Sequence, residues 1–290
     1  MNATRPNSAA GTLYVVATPI GNMGDITYRA VDVLHNADLI AAEDTRHTAR
    51  LLAHYAIETP LISCHEHNES QRISLLLQKL ESGGQLALVS DAGTPMVSDP
   101  GYRLVAAALE AGIKVVPIPG ACAAVAALSV SGLAVDRFCF AGFLPKKKKQ
   151  RQEMLTGLAS AEETLIFYES PRRLEALLRD LQDHLGDRTA VVAREITKRY
   201  EEFLRGTLSV LLDAVSRRES VKGEVTVLVS GFTEDNRDPA VLDRDLRNEI
   251  DSALSGQTVS PSKLAAELAR KYRMPKGRVY KMILEIQKNQ

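Results

Sequence analysis

Apolar positions along the chain gather into short unbroken runs, with helix-length amphipathic stretches between them. Eight runs predict strands: LYVVA (13–17), LIAAE (39–43), LALVS (86–90), KVVPI (114–118), FCFAGF (138–143), TLIFYE (164–169), TAVVARE (189–195) and EVTVLVSG (224–231). Between them, SQRISLLLQKLES (70–82) repeats Ile73, Leu76, Leu77 and Leu80 at helical spacing. PRRLEALLRDLQDHLG (171–186) has Pro171 at a helix start and Gly186 at its stop. Strands alternating with helices imply an α/β architecture with mainly parallel sheets. The small-residue stretch PGACAAVAALSVSGL (119–133) reads as a seam between an N-terminal α/β domain (12–120) and a central one (121–231).

After Gly231 the alternation stops. FTEDNRDP reads as a linker, residues 232–257 as linker and helix, and 258–290 as a helix-turn-helix-like module. There, Ser260-Pro261 opens one helix through Arg270, MPKGR turns, and a second helix faces Val279, Met282, Ile283 and Ile286 inward. Two helices this short cannot bury a core alone, so the module is expected to pack on the acidic segment before it or on the main body.

Composition narrows the class. Of the 290 residues 45% are apolar, enough for a substantial core, yet every apolar stretch breaks well before the ~20 residues of a membrane span. The polar segment 1–11 lacks an apolar signal core and reads as a disordered lead-in. Three scattered cysteines, Cys64, Cys122 and Cys139, form no CxxC pair and fit a reducing, cytoplasmic setting. The formal net charge of zero hides an asymmetry. Residues 258–290 carry eight Lys/Arg against two Glu (+6), while 233–257 carry seven acids against three Arg (−4), and PKKKKQR (145–151) is a second basic block. Such local fields attract phosphate even on a neutral chain, and they are equally compatible with ordinary solvated helix faces.

Several chemistries drop out. No GxGxxG follows the first strand, where YVVATPIGNMGD places Thr18-Pro19 instead. No P-loop, GxSxG elbow or HExxH helix is present. HEHNE (65–69) pairs His65 and His67 without an evident third metal ligand nearby, so no metal site is expected. The most informative stretch is SDAGTPMVSDPG (90–101), which follows the apolar run 86–89. Gly93 and Gly101 permit close backbone approach, and Pro95 and Pro100 stiffen the loop. It lies where open α/β sheets bind ligands and has no Lys or Arg, so it suits a neutral or cationic ligand. A plain turn remains the alternative, and Asp91 and Asp99, eight residues apart, make no convincing acid–base pair.

The motifs VATPIGNMGDIT (16–27), AAEDTRHTARLLAHY (41–55), HEHNE, LVSDAGTPMVSDPG (88–101), GFLPKKKKQR (142–151), IFYESPRRL (166–174) and AREITKRYEEFLRGTL (193–208) occur in order. Together they resemble the ribosomal RNA ribose methyltransferases of the tetrapyrrole methylase superfamily, over roughly residues 12–231. One departure is IFYESPRRL, where the family pattern has alanine and histidine in place of Ser170 and Arg172. The resemblance implies two α/β domains with S-adenosylmethionine in the cleft between them. It places Pro19, Asp91, Gly93, Thr94, Val97, Ala123, Ala124 and Tyr168 around that cofactor.

It further implies methylation of a cytidine 2′-oxygen in 16S rRNA of the small ribosomal subunit, by a homodimer with no membrane association. Candidates for taking the hydroxyl proton or steadying the alkoxide are Asp44, Glu43 and His65, with His67, Glu195 and Lys198 behind them. Substrate contacts are expected from Arg46, His67, Lys147, Arg151, Arg194 and Lys198, with the 145–151 block as a mobile loop beside the cleft. Two blander readings stand beside these: Asp44 as a helix cap that leaves Arg46 free to grip phosphate, and ion pairing within REITK. The competing functions are methylation of a tetrapyrrole-like small molecule and a non-catalytic RNA-binding assembly factor.

Overall fold

A computed structural model describes residues 11–233, 246–251, 253–254, 260–272 and 276–289. The expected lead-in (1–10) and most of the expected linker (234–245) lie outside the described residues. Gly11, assigned to the lead-in, is buried and donates its N–H to Leu80 O at 2.8 Å.

The first half alternates strand and helix: β1 (Thr12–Val16), α1 (Tyr28–Asn36), β2 (Leu39–Ala42), α2 (Thr45–His54), β3 (Leu61–Ser63), α3 (Glu69–Glu81), β4 (Gln85–Val89), α4 (Tyr102–Glu110) and β5 (Lys114–Ile118). The strands form one wholly parallel sheet in the order β3-β2-β4-β1-β5. Helices cover both faces. Ala30, Leu34 and Leu52 pack on one, and Leu76, Leu80 and Leu104 on the other. Central strands buried on both sides must be apolar throughout, which is why β4 reads as an unbroken run.

The second half holds α5 (Ala123–Ser129), β6 (Phe138–Phe143), α6 (Lys148–Leu158), β7 (Thr164–Glu169), α7 (Leu174–Leu185), β8 (Thr189–Arg194), β9 (Glu202–Thr207), α8 (Leu208–Ser216) and β10 (Val225–Val229). Its sheet runs β6-β7-β10-β8-β9, and only β6 and β7 are parallel. The expectation of mainly parallel sheets therefore fails here. The cause is β10, which enters between β7 and β8 antiparallel to both. One face packs on α6, α7 and α8, the other on α5 through Ala124, Ala127 and Leu128. The small-residue seam is thus a helix of the second half that lies close on its sheet.

At the C-terminus, residues 246–251 and 253–254 are helical and precede α9 (Pro261–Lys271) and α10 (Lys276–Asn289). Ser260 caps α9 by accepting Lys263 N–H. Leu246 and Ile250 of the acidic segment complete a core with Leu264, Leu268 and all four expected inward residues of α10. Tyr272 Oη donates to Glu249 Oε2 at 2.6 Å across the same joint. Of the expected MPKGR turn, Lys276, Gly277 and Arg278 are helical, and Met274 and Pro275 lie outside the described residues.

Candidate active site

Strands β4 and β1 are neighbours and parallel, so the loops leaving them emerge side by side at the carboxyl edge of the first sheet. A two-bond bridge stitches these loops together: Thr18 N–H donates to Gly93 O (2.8 Å) and Gly93 N–H to Thr18 O (3.1 Å). Thr94 Oγ1 donates to Ala121 O at 3.0 Å and fastens the same loop to the start of the second half. Gly93 has φ +85°, and a Cβ there would come within 3.2 Å of Ile20 Cγ2. Met96 (φ +71°) and Ser98 (φ +70°) also hold left-handed backbone without being glycine, a strain that marks loops shaped for a ligand.

This loop forms one wall of a cleft of about 350 Å³ between the two sheets. Gly93, Thr94, Val97, Ala123 and Tyr168, five of the eight expected cofactor residues, line it. Tyr168 is braced edge-on by Phe140 and Phe143, and its Oη accepts Ala124 N–H at 3.1 Å. Ala124 therefore supports the cleft without lining it. Pro19 and Asp91 instead line a second cavity of about 260 Å³, which meets the first at Ile20, Ala92 and Glu224.

Among the described residues no Lys or Arg lines the larger cleft, whereas Asp99, Glu169 and Glu224 do. Burial, reinforced by the charges of Glu43 and Asp91, pushes the Asp99 carboxyl up to about 6. Glu43 is likewise raised by burial and by its acidic neighbours Asp91 and Asp44, although it accepts Asp91 N–H at 3.4 Å. Burial is the main cause of both shifts, and the mutual repulsion of Asp99, Glu43 and Asp91 adds a local negative potential that a cationic ligand relieves. The residues therefore fit a sulfonium cofactor: apolar walls for its uncharged parts, a glycine-shaped loop, and Asp99, which makes no ion pair among the described residues, whereas Glu169 and Glu224 are paired with Arg173 and Lys198.

The three expected catalytic groups fall elsewhere: neither cavity is lined by Glu43, Asp44 or His65. Asp44 is the N-cap of α2, accepting Arg46 N–H at 2.9 Å, and the Arg46 side chain and that cap hold its carboxyl far below the ordinary range. Arg46 is not free, since its guanidinium grips Asp44 at 2.7 and 3.1 Å. His65 and His67 lie in the turn after β3, ring centroids 6.1 Å apart, with His67 exposed.

The basic block is only partly a loop: Pro145 to Lys147 form the connection into α6, with Lys147 its exposed N-cap, and Arg151 sits inside the helix, paired with Asp180 at 2.6 Å. Arg194 pairs with Glu202, and Lys198 with Glu195 and Glu224 at 2.9 and 3.0 Å, as the ion-pair reading of REITK anticipated. Burial opposes the Lys198 ammonium, but its two carboxylate partners outweigh that and keep its pKa above the ordinary lysine value. Lys198 nevertheless lines the smaller cavity, because its side chain crosses from the second half to Gly21. A Cβ on Gly21 would strike Lys198 Cγ at 2.4 Å.

Sequence reading missed Glu169 and Glu224. Asp99 was visible in the signature loop, but its distance from Asp91 along the chain hid that both border one pair of joined cavities.

Residues 12–212 match the family model for tetrapyrrole (corrin/porphyrin) methylases. The chain belongs to the tetrapyrrole methylase family. Among curated members, the ribosomal RNA small subunit methyltransferase I of Synechocystis sp. is 50% identical over 96% of this chain and 99% of its own. The protein of that name from Escherichia coli O157:H7 is 47% identical over 97% of each. Solved tetrapyrrole methylases share the fold. The methyltransferase CobJ superposes with a TM-score of 0.59 at 21% identity, covering 77% of this chain and 95% of that one. The uroporphyrin-III C-methyltransferase of Thermus thermophilus, complexed with S-adenyl homocysteine, gives 0.55 at 19%, covering 75% and 97%.

Proposed function

We propose that this tetrapyrrole methylase transfers a methyl group from S-adenosylmethionine to the 2′-oxygen of a cytidine in 16S rRNA of the small ribosomal subunit. The observation that carries this reading is the cleft between the sheets, acidic and without a basic residue in its lining, in a chain about half identical end to end to small-subunit rRNA methyltransferases. When bound, the cofactor supplies a methyl carbon already activated by its sulfonium. Gly93, Thr94, Val97, Ala123 and Tyr168 would hold it. The chain's further task is to place a ribose hydroxyl in line with that carbon, and positioning of this kind is worth roughly 7–11 kcal/mol of barrier.

RNA attachment falls to the start of α6. Lys146, Lys147, Lys148 and Lys149 are exposed there, three residues and more beyond the cleft-lining Phe143. Four cations at a helix N-terminus oppose the helix dipole, and no side chain caps this end, so phosphate oxygens satisfy both. Exposed Arg172 extends the basic surface.

The working form is proposed to be a cytoplasmic homodimer. Exposed apolar Val125, Val130, Val135 and Phe138 on and after α5 support a second copy. No helix among the described residues is long and apolar enough to cross a membrane. The test is label transfer from methyl-labelled S-adenosylmethionine to small subunits from cells lacking the gene, with a uroporphyrinogen as the competing acceptor. Label in RNA supports the reading. Label in the macrocycle alone, or cofactor binding without transfer, overturns it.

A further inference from the structure

The smaller cavity has the makings of a reading site. It is bounded by the loop after β1, the first two turns of α2 and the loop after β4, and it adjoins the cofactor cleft, sharing Ile20, Ala92 and Glu224 with its lining. Pro19, Met23 and Leu51 give it apolar surface, while His47, exposed at α2, adds a ring of the kind that stacks on bases. One buried polar group lacks a partner in a way the fold does not require, and a half-buried carboxylate keeps one oxygen to spare. Thr48 is 2% exposed, and its Oγ1 has no hydrogen-bond partner. Asp91 spends Oδ1 on Asp44 N–H at 2.9 Å, and no partner of its Oδ2 is found among the described residues.

A buried hydroxyl without a partner costs stability and persists where a ligand completes it. The Lys198 ammonium at the cavity wall is already neutralised by two carboxylates, so the cavity offers no net cradle for a polyanion. Apolar faces with a few convergent donors and acceptors suit an uncharged heterocycle.

We propose that this cavity receives the acceptor nucleoside, flipped out of the RNA, with Thr48 Oγ1 and Asp91 Oδ2 hydrogen-bonding the polar edge of its base. This rests on the proposed RNA methyl transfer and adds where the acceptor sits and what reads it. A carboxylate accepts from the exocyclic amine of cytosine, and uracil presents only a carbonyl there. The base thereby anchors the ribose at the mouth shared with the cofactor cleft, where its hydroxyl faces the methyl group.

Thr48→Val tests the assignment, because it keeps the side-chain shape and removes the hydroxyl. Apo Thr48→Val melts at or above the wild-type temperature, since the unpartnered hydroxyl is gone. It binds S-adenosylmethionine with wild-type affinity but loses about tenfold in kcat/KM for the small subunit, and Thr48→Ser restores the rate. A purely structural threonine would give the opposite pair, lower melting temperature with intact turnover. Wild-type acceptor kinetics in Thr48→Val, or a parallel loss of cofactor affinity, overturns the pocket assignment while leaving RNA methylation standing. Failure of the wild-type protein itself to label RNA, with cofactor bound, overturns the proposed function and this inference with it.

Discussion

The two joined cavities are built by different means. The larger owes its shape to backbone: a bridged pair of loops, a left-handed glycine and strained neighbours, with side chains contributing mainly apolar wall and the carboxyl of Asp99. The smaller owes its character to side chains from segments far apart in sequence, namely Thr48, Asp91 and Lys198. The contrast teaches that donor recognition is written into loop geometry, which tolerates few changes. On the proposed assignment, acceptor recognition rests on individual groups that can be altered one at a time.

Five variants break or sharpen that contrast. Gly93→Val has the largest expected effect. It puts a branched side chain at φ +85° against Ile20 and strains the loop bridge, and calorimetry should show cofactor affinity falling by about 100-fold or more. Next, Lys198→Met leaves Glu195 and Glu224 facing each other at the smaller cavity, so acceptor kcat/KM should drop about tenfold while cofactor affinity stays within about threefold. Equal losses in both would erase the distinction.

Third, Lys147→Ala with Lys148→Ala should weaken RNA binding severalfold and flatten the salt slope by about 2, leaving cofactor affinity intact. Arg151→Ala should instead lower the melting temperature, because Arg151 is bound to Asp180 rather than exposed. Smallest is Asp99→Asn. The wild-type carboxyl sits at about 6 instead of 3.8, so its ionisation opposes folding. The stability it lends is complete below about pH 4 and is lost as pH rises through 6. Asp99→Asn should therefore match wild type in acid and exceed it at pH 8 by ~1 kcal/mol, discounted for solvent screening. Melting curves at pH 4 and pH 8 check this.

The same contrast explains what the sequence made legible. The six inner strands announced themselves because strands buried on both faces must be largely apolar, the edge strands β5 and β6 because KVVPI and FCFAGF are apolar runs though mostly not buried, and the signature loop because glycine and proline leave few backbone options. β3 escaped because LIS is only three residues at a sheet edge, and β9 because EFLRGT, another edge strand, carries Glu202 and Arg205 among its apolar residues. The antiparallel insertion of β10 was invisible, since VTVLV is buried throughout and strand-prone whichever way its neighbours run.

At the site, AEDTR drew attention to Glu43 and Asp44 as chemistry, yet the next turn of the same motif supplied the residues that line a cavity, His47 and Thr48. Motif position alone could not tell a cap from a lining group. Only the meeting of α2 with the loops after β1 and β4 makes that difference.

The position of the transferred methyl tests the account most directly. Small subunits lacking the modification should be treated with the protein and S-adenosylmethionine, digested to nucleosides and resolved by mass spectrometry. A single new 2′-O-methylcytidine, absent when Gly93→Val replaces the wild-type protein, is the predicted result. A methyl group on a base, or no modified nucleoside at all from protein that binds the cofactor, would contradict it.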